Sequence, residues 1–331
     1  MVMITKFKPA FGMGNRHIQT LYSSFFRKEP QPQLIKEDFI LPDGDFVQTY
    51  WHTIHNSQED TPCVILFHGL AGSYQSPYIQ GVMNSLARAN FNSVLMSFRG
   101  CGDKMNSLPR SYHSGETGDA NAFIQSVHAR FPKAKLYGVG YSLGGNMLLK
   151  LQGELQHSTL LSGVVSASAP LQLDICAEAI DQGFSKIYQN HLMKDLKKAL
   201  LEKYTLHPME SLLHINEKEV KKLKTFWDFD GAYTAPIHGF SSAQDYYTRC
   251  SAKQFLKDIQ VPTLIIHSKD DPFMNTRIIP SDKELSKNCT LELSEHGGHV
   301  GFISGTLLKP TYWLENRIVE FFQQINTKES L

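Results

Sequence analysis

The sequence predicts an α/β fold in which a mostly parallel central sheet is flanked by helices. Two observations support this class: short, continuously apolar segments recur along the chain, and segments with helical periodicity lie between them. Strands that are apolar along their whole length are buried on both faces, as in a parallel sheet covered by helices. Alternation of such strands with helices is typical of a doubly wound α/β domain.

The elements follow one another in the order that this class requires. An antiparallel hairpin is predicted over residues 37–52, with its turn at Pro42-Asp43-Gly44. Six later segments have the composition of buried sheet strands: 63–69, 93–100, 135–142, 161–169, 262–268 and 290–296. Four segments have the pattern of flanking helices: 78–90, 117–131, 144–155 and 313–325.

The chain is predicted to have three parts. Residues 1–35 mix glycine, proline and aromatic side chains without a clear period, and we expect an ordered extension over the surface of the domain. The predicted core comprises residues 36–170 and 250–331. Residues 171–249 have helical periodicity but no convincing buried strand, which predicts a helical cap inserted between two strands of the sheet.

Composition narrows the class of partner. The 33 basic and 32 acidic side chains nearly cancel, so no overall field attracts nucleic acid or an anionic membrane. Five cysteines are scattered without a metal-binding spacing, which favours reduced thiols in a cytoplasmic protein. Neither a signal peptide nor an apolar run of about 20 residues is present, so no integral membrane segment is expected. We expect a small-molecule substrate.

The strongest chemical signal is Gly140-Tyr141-Ser142-Leu143-Gly144, between a predicted strand and a predicted helix. This strand–turn–helix setting is that of a nucleophile elbow, in which the turn is so sharp that side chains beside the serine would collide with the strand and helix. The alternative is a glycine-rich turn with a bystander serine. A serine hydroxyl becomes a good nucleophile only beside a base.

The base and its orienting acid are expected after the last two strands. His296 and His299 follow the last one, and His299 is preferred because Gly297 and Gly298 let the backbone fold back towards the sheet. This histidine pair has no third ligand at a recognisable spacing, so no metal is expected. Two adjacent acids follow the preceding strand, and Asp271 is preferred to Asp270. The order Ser, Asp, His is that of the α/β-hydrolase fold.

Two backbone N–H groups are predicted to form the oxyanion hole, which binds the oxygen that becomes negative during acyl transfer. One is that of Leu143, directly after the nucleophile. The other is that of Leu70, in the loop after the first central strand. The neighbouring His68 is interpreted as a hydrogen-bonding residue of the turn rather than a second base. This chemistry requires no cofactor.

Eight motifs together resemble the YheT-like branch of the α/β-hydrolases. They are GNRHIQT (14–20), HGLAGS (68–73), FRGC (98–101), YHSGETGD (112–119), GYSLGGN (140–146), FDGAYTAPIHGF (229–240), DDPF (270–273) and HGGHVGF (296–302). The resemblance covers nearly the whole chain. It implies a carboxylesterase or acylglycerol lipase for short- to medium-chain esters, with Ser142, Asp271 and His299 in the roles described above.

Two of these motifs have no assigned chemistry. In YHSGETGD, Thr117 could cap the following helix, and Asp119 would favour the positive end of its dipole. The aromatic residues of FDGAYTAPIHGF could line an acyl pocket or pack the cap on the core.

The predicted activity is hydrolysis of carboxylic esters through an acyl-enzyme on Ser142. One alternative is a thioesterase or acyltransferase with the same triad. The other is a homologue that binds ligands without turnover.

Overall fold

The computed structural model describes residues 1–5, 7–306 and 309–328. The strands of these residues are β1 (Val2–Ile4), β2 (Ile35–Ile40), β3 (Phe46–His52), β4 (Cys63–Phe67), β5 (Asn92–Met96), β6 (Leu136–Tyr141), β7 (Leu161–Ala167), β8 (Thr263–Ser268), β9 (Cys289–Ser294), β10 (Ile303–Gly305) and β11 (Pro310–Tyr312). The helices are α1 (Arg16–Phe26), α2 (Pro77–Arg88), α3 (Thr117–Arg130), α4 (Leu143–Leu155), α5 (Leu173–Ile180), α6 (Lys186–Leu206), α7 (Met209–Leu213), α8 (Glu217–Lys222), α9 (Phe226–Phe229), α10 (Ala235–Ile237), α11 (Ala243–Cys250) and α12 (Trp313–Lys328).

Within the described residues, nine strands form one sheet in the order β1-β9-β8-β7-β6-β4-β5-β3-β2. Neighbouring strands from β1 to β5 in this order pair in parallel, and β3 is antiparallel to both β5 and β2. The predicted fold class is therefore confirmed. Because parallel strands end at the same edge, the loops after β4, β6, β8 and β9 emerge together.

The core consists of one apolar layer on each face of the sheet. Successive residues of β4 alternate between these layers: Val64 and Leu66 pack towards α2 and α12, whereas Ile65 and Phe67 pack towards α3 and α4. The inner face of α12 is formed by residues four positions apart, namely Leu314, Ile318 and Phe322. All six residues of β6 are buried, which agrees with the continuously apolar pattern of its sequence.

The N-terminal residues take a larger part in the sheet than the sequence indicates. Residues 2–4 form β1, which extends the sheet beyond β9, and α1 follows at Arg16. A second unexpected element is the pair β10 and β11, which lies between the His299 loop and the last helix.

Residues 171–249 are helical, with α5 to α11 between β7 and β8. In the described residues, none of the helices combines the length and apolar character needed to cross a membrane.

A buried ionic cluster joins α3 and the turn between β2 and β3 to the loop after β5. The guanidinium of Arg99 bonds Asp119 at 2.6 and 2.7 Å, Asp45 at 2.7 Å and Asp43 at 2.9 Å, and its side chain is 1% exposed. Burial alone lowers the pKa of this guanidinium, but its bonds to Asp119, Asp43 and Asp45 raise the pKa above the ordinary value. The interpretation of Asp119 as a helix-dipole residue is thus incomplete, because its carboxylate is bidentate to Arg99. Thr117 is the first residue of α3, and the N-cap is Glu116.

Replacing Arg99 with methionine is expected to lower the free energy of unfolding by about 3–5 kcal/mol. The cause is the loss of the cation that compensates three carboxylates, two of which are almost completely buried. The measurement is urea unfolding followed by circular dichroism. Lys133→Met is the control, since the Lys133–Glu59 pair is exposed and should contribute little. Equal midpoints for the two variants would contradict this account.

Candidate active site

Ser142 lies at the sharp turn between β6 and α4. Its backbone angles are φ 50° and ψ −119°, a region that a residue with a side chain rarely adopts. A β-carbon on Gly144 would lie 2.6 Å from the backbone oxygens of Phe67 and His68, at the end of β4. A β-carbon on Gly140 would lie 2.4 Å from the backbone oxygen of Gly144. Backbone crowding therefore excludes larger residues at both glycines, and the predicted strand–turn–helix setting is present.

His299 lies between Ser142 and Asp271. Its Nε2 is 3.0 Å from Ser142 Oγ, and its Nδ1 is 2.8 Å from Asp271 Oδ2. The tautomer that fits both contacts has Nδ1–H donating to the carboxylate and Nε2 accepting from the hydroxyl. The three side chains thus form a continuous hydrogen-bonded chain, although Ser142 and His299 are 157 residues apart in sequence.

The loop that carries His299 is held from both sides. Gly297 and Gly298 have φ values of 151° and 58°, so the backbone reverses through conformations that favour glycine. The His299 N–H donates to Thr20 Oγ1 at 2.9 Å, a contact from α1. On the other side, the ring of Phe273 stacks on the imidazole with centroids 4.0 Å apart. Sequence reasoning missed both contacts, although Thr20 and Phe273 lie in the motifs GNRHIQT and DDPF.

The two adjacent aspartates make different contacts. Asp271 is 1% exposed, and its Oδ1 accepts the N–H of Phe273 at 2.8 Å while Oδ2 faces His299. Asp270 instead accepts the Gly298 N–H at 2.9 Å. Its other oxygen lies 3.4 Å from Nδ1 of His296, whose side chain is 51% exposed. The structure therefore brings Asp271 to His299 and pairs Asp270 with His296.

The N–H groups of Leu70 and Leu143 lie beside the serine. A β-carbon on Gly69 would be 3.2 Å from Ser142 Cβ, so the loop after β4 packs directly against the nucleophile candidate. The Gly69 N–H is occupied by the hydroxyl of Tyr78 at 3.0 Å. In the described part of the chain, by contrast, neither the Leu70 nor the Leu143 N–H has a hydrogen-bond acceptor. Both donors are available to a ligand.

His68 is buried and fully engaged in the turn. Its Nδ1–H donates to the Gly69 carbonyl at 2.7 Å, and its Nε2 accepts the N–H of Phe98 at 3.1 Å. Burial lowers the pKa of this imidazole to about 4, so the ring is neutral near pH 7. Because its lone pair is already used, His68 is a structural residue of the turn.

A cavity of about 840 Å³ opens at Ser142. Its lining includes Leu70 and His299 from the loops at the sheet edge, and apolar side chains from residues 171–249 and from α1. Among the latter are Phe25, Leu173, Ile180, Phe184, Leu196 and Phe229. An apolar cavity with a few convergent polar groups is typical of a site for a small molecule with hydrocarbon parts.

One group of side chains in the described residues has the composition of a metal site. His113, Glu116 and His238 present atoms that lie within 4.8 Å of one another. However, Arg110 lies 3.1 Å from the Glu116 carboxylate, and the Gly115 N–H donates to Nδ1 of His113 at 3.1 Å. A divalent cation would be repelled by the arginine, and one imidazole nitrogen is already used. These residues instead connect the motif YHSGETGD to the motif FDGAYTAPIHGF.

The fold and the site define a class of protein. A family model described as the alpha/beta hydrolase fold matches residues 62–306. The chain belongs to the alpha/beta hydrolase family. Among solved structures, the Pyrococcus furiosus esterase Pf2001 superposes with a TM-score of 0.56 at 15% identity, over 90% of this chain and 99% of that one. At this identity the likeness shows the fold alone.

Within the family, the chain is similar to proteins described by their names as esterases and lipases. It is 41% identical to YheT of Escherichia coli (strain K12) over 316 residues, which cover 96% of this chain and 92% of that protein. It is 26% identical to phospholipase ABHD3 of Mus musculus over 311 residues, or 92% of this chain and 75% of the relative. The resemblance to the YheT-like branch is confirmed, and the chain is an ester hydrolase of the esterase and lipase type.

Proposed function

We propose that the chain hydrolyses carboxylic esters through a covalent acyl-enzyme on Ser142. The observation that carries this proposal is a pair of hydrogen bonds: His299 Nδ1–H donates to Asp271 at 2.8 Å, and the Ser142 hydroxyl donates to His299 Nε2 at 3.0 Å. A hydroxyl, an imidazole and a carboxylate in this order are the parts needed to generate a serine nucleophile near neutral pH.

The reaction proceeds in two halves. In the first, Ser142 Oγ attacks the ester carbonyl while His299 Nε2 takes the hydroxyl proton, which it then donates to the departing alcohol. In the second, water attacks the acyl-serine, His299 takes a proton from the water, and Ser142 leaves with the proton returned to it. Asp271 holds the imidazole in one tautomer and stabilises its positive charge.

The N–H groups of Leu70 and Leu143 would bind the oxyanion of each tetrahedral intermediate. Their position at Ser142 and their lack of an acceptor in the described structure support this role. Donors held in place before the reaction cost no reorganisation when the negative charge develops, and one such donor accounts for about 10²–10³ in kcat.

The substrates are proposed to be short- to medium-chain acyl esters or acylglycerols. The support is the apolar lining of the cavity, whose volume of about 840 Å³ suits a hydrocarbon chain with a polar leaving group. The similarity to a relative named as a phospholipase is consistent with an acylated lipid. The five cysteines are free thiols, which supports the proposed cytoplasmic location.

Residues 171–249 are proposed to act as a cap over this cavity, with residues 36–170 and 250–331 as the core and residues 1–35 as an extension. One strong contact supports the docking of the cap: Lys203 of α6 is fully buried and donates to Asn106 Oδ1 at 2.6 Å and to the Leu108 carbonyl at 2.5 Å. Burial lowers the pKa of this ammonium to about 8, so it is still charged at neutral pH.

A fluorophosphonate probe tests the proposed mechanism on the unmodified protein. We expect the probe to modify Ser142, as mapped by tandem mass spectrometry, and to abolish hydrolysis of p-nitrophenyl butyrate in proportion to the fraction labelled. The phosphonyl adduct resembles the tetrahedral intermediate and needs the same activated hydroxyl. Full turnover by protein labelled at Ser142, or inactivating modification of another residue, would contradict the acyl-enzyme.

A further inference from the structure

The carboxylate of Asp230 faces the cavity that contains Ser142. Asp230 lines this cavity and begins a single π-helical turn, residues 230–234, between α9 and α10. π-Helical turns are rare and are frequently found at functional sites. Neither the hydrogen-bonded chain at Ser142 nor the oxyanion donors involve Asp230, so the proposed reaction leaves this group without a role.

The Asp230 carboxylate has hydroxyl partners but no cation. Its Oδ1 accepts the hydroxyl of Thr234 at 2.6 Å, and its Oδ2 accepts the hydroxyl of Tyr247 at 2.6 Å. In the described part of the chain, no lysine, arginine or histidine forms an ion pair with it. The carboxylates around Arg99, by contrast, are compensated directly. An anion at a partly buried position without a counter-charge is costly, so its retention at a cavity wall points to a cation supplied from outside.

Aromatic side chains line the same cavity as this carboxylate. Five of them are Phe226, Phe229, Tyr233, Tyr246 and Tyr247. Four of the rings form two contacting pairs, with centroids 5.1 Å apart for Tyr246 and Tyr247 and 5.5 Å apart for Phe229 and Tyr233. Aromatic faces attract ammonium groups, and the attraction is strongest where water is excluded.

A purely structural role for Asp230 would not need the negative charge. A neutral amide oxygen could also accept a hydroxyl from α11, at a smaller desolvation cost than a carboxylate. Both carboxylate oxygens retain further lone pairs after accepting one hydroxyl each. Asp230 is charged, can accept further hydrogen bonds and faces the cavity, and these three properties fit a ligand-binding role better than a purely structural one.

We propose that Asp230 and the five aromatic side chains form a cation subsite of the cavity, which selects esters that carry an ammonium group. This inference rests on the proposed esterase function and names a substrate class for the same site. The ammonium group would contact the Asp230 carboxylate and the neighbouring aromatic faces while the ester carbonyl lies at Ser142.

A pair of isosteric esters tests the subsite. Butyrylcholine and 3,3-dimethylbutyl butyrate have nearly the same shape, but the first has a quaternary nitrogen where the second has carbon. The readout is kcat/KM for butyrylcholine divided by kcat/KM for 3,3-dimethylbutyl butyrate. This ratio is then divided by the ratio of the hydroxide-catalysed rates of the same two esters, because the choline ester is intrinsically more reactive. We expect Asp230→Asn to lower this corrected ratio by about tenfold or more.

Asp195→Asn is the matched control. Asp195 lines the same cavity, but its side chain is 45% exposed, so water screens its charge. The corrected ratio of this variant should stay close to that of the unmodified protein. Circular dichroism and fluorophosphonate labelling of Asp230→Asn establish that the variant is folded and retains an active serine.

The pH dependence of the ratio gives an independent readout. Burial raises the pKa of Asp230 to about 6, so the carboxylate loses its charge, and with it the attraction for a cation, as the pH falls below 6. The groups facing it are Thr234 and the tyrosines 246 and 247; burial raises the pKa of both tyrosines, so they stay neutral. The charge of Asp174 also raises the pKa of Tyr247. Any effect of pH on the shared reaction at Ser142 applies to both esters and cancels in the ratio.

We therefore expect the corrected ratio to rise between pH 5 and pH 7.5 in the unmodified protein and to be flat in Asp230→Asn. A ratio that is near one, or that is the same in both proteins, would overturn the cation subsite. Failure of the esterase function has a different signature: neither ester is hydrolysed and Ser142 is not labelled.

Discussion

Replacing Ser142 with alanine is expected to lower kcat/KM for p-nitrophenyl butyrate by about 10⁵–10⁶-fold. The substitution removes the atom that bonds to the acyl carbon in the proposed mechanism, while the cavity, the imidazole and the proposed oxyanion donors remain. The protein should stay folded for two reasons. Alanine is smaller than serine, and the strained backbone at this position is imposed by the close packing of the neighbouring glycines. The measurements are steady-state turnover and loss of fluorophosphonate labelling.

Ser166→Ala is the control for this substitution. Ser166 is a buried serine of β7, one strand away from Ser142, and its hydroxyl has no hydrogen-bond partner in the described residues. Its removal should leave turnover close to that of the unmodified protein. If Ser142→Ala retained more than about 1% of the activity, the nucleophile would have to be sought elsewhere, since removal of a catalytic serine costs far more than this.

The second large effect is expected from Asp271→Asn, which should lower kcat by about 10⁴-fold. An amide at this position can present its NH₂ group to His299, which favours the tautomer with the proton on Nε2. An imidazole in that tautomer cannot accept the proton of Ser142. Because the amide has nearly the same shape as the carboxylate, the stability of the fold should change little, as measured by urea unfolding.

The adjacent aspartate provides the matched control. Asp270 accepts the N–H of Gly298, and the amide oxygen of asparagine can accept the same bond. We therefore expect Asp270→Asn to lower kcat by less than about tenfold, the effect of one weakened hydrogen bond. A larger loss in Asp270→Asn than in Asp271→Asn would reverse the assignment of the two acids.

The fold class and the candidate nucleophile could be predicted from the sequence because both depend on the properties of a few neighbouring residues. The strands β4 and β6 are apolar throughout because both faces are buried, and this pattern needs no knowledge of the tertiary structure. The glycines around Ser142 are equally informative, since a side chain at Gly140 or Gly144 would collide with backbone atoms. The two glycines before His299 signalled a backbone reversal for the same kind of local reason.

Contacts between residues far apart in the chain could not be predicted from the sequence. The residues of β1 are too few to form a periodic pattern, and only the free edge of β9 makes them a strand. Nothing in the local sequence distinguishes a helix-dipole role of Asp119 from its pairing with Arg99, because Arg99 lies 20 residues earlier, in the loop after β5. Asp230 similarly resembles an ordinary helix residue in sequence, and its burial beside Tyr247 depends on how α11 packs.

By itself, the sequence determined the fold class, the central strands with their flanking helices, and the short list of residues proposed for acyl transfer, because each follows from the demands of a few adjacent residues. Only the tertiary structure decided which of two neighbouring aspartates meets His299, which helix supports the histidine loop, and that Asp230 faces the cavity. The physical reason is distance along the chain: Thr20 and His299 are 279 residues apart, and a hydrogen bond between them exists only after the whole sheet has formed.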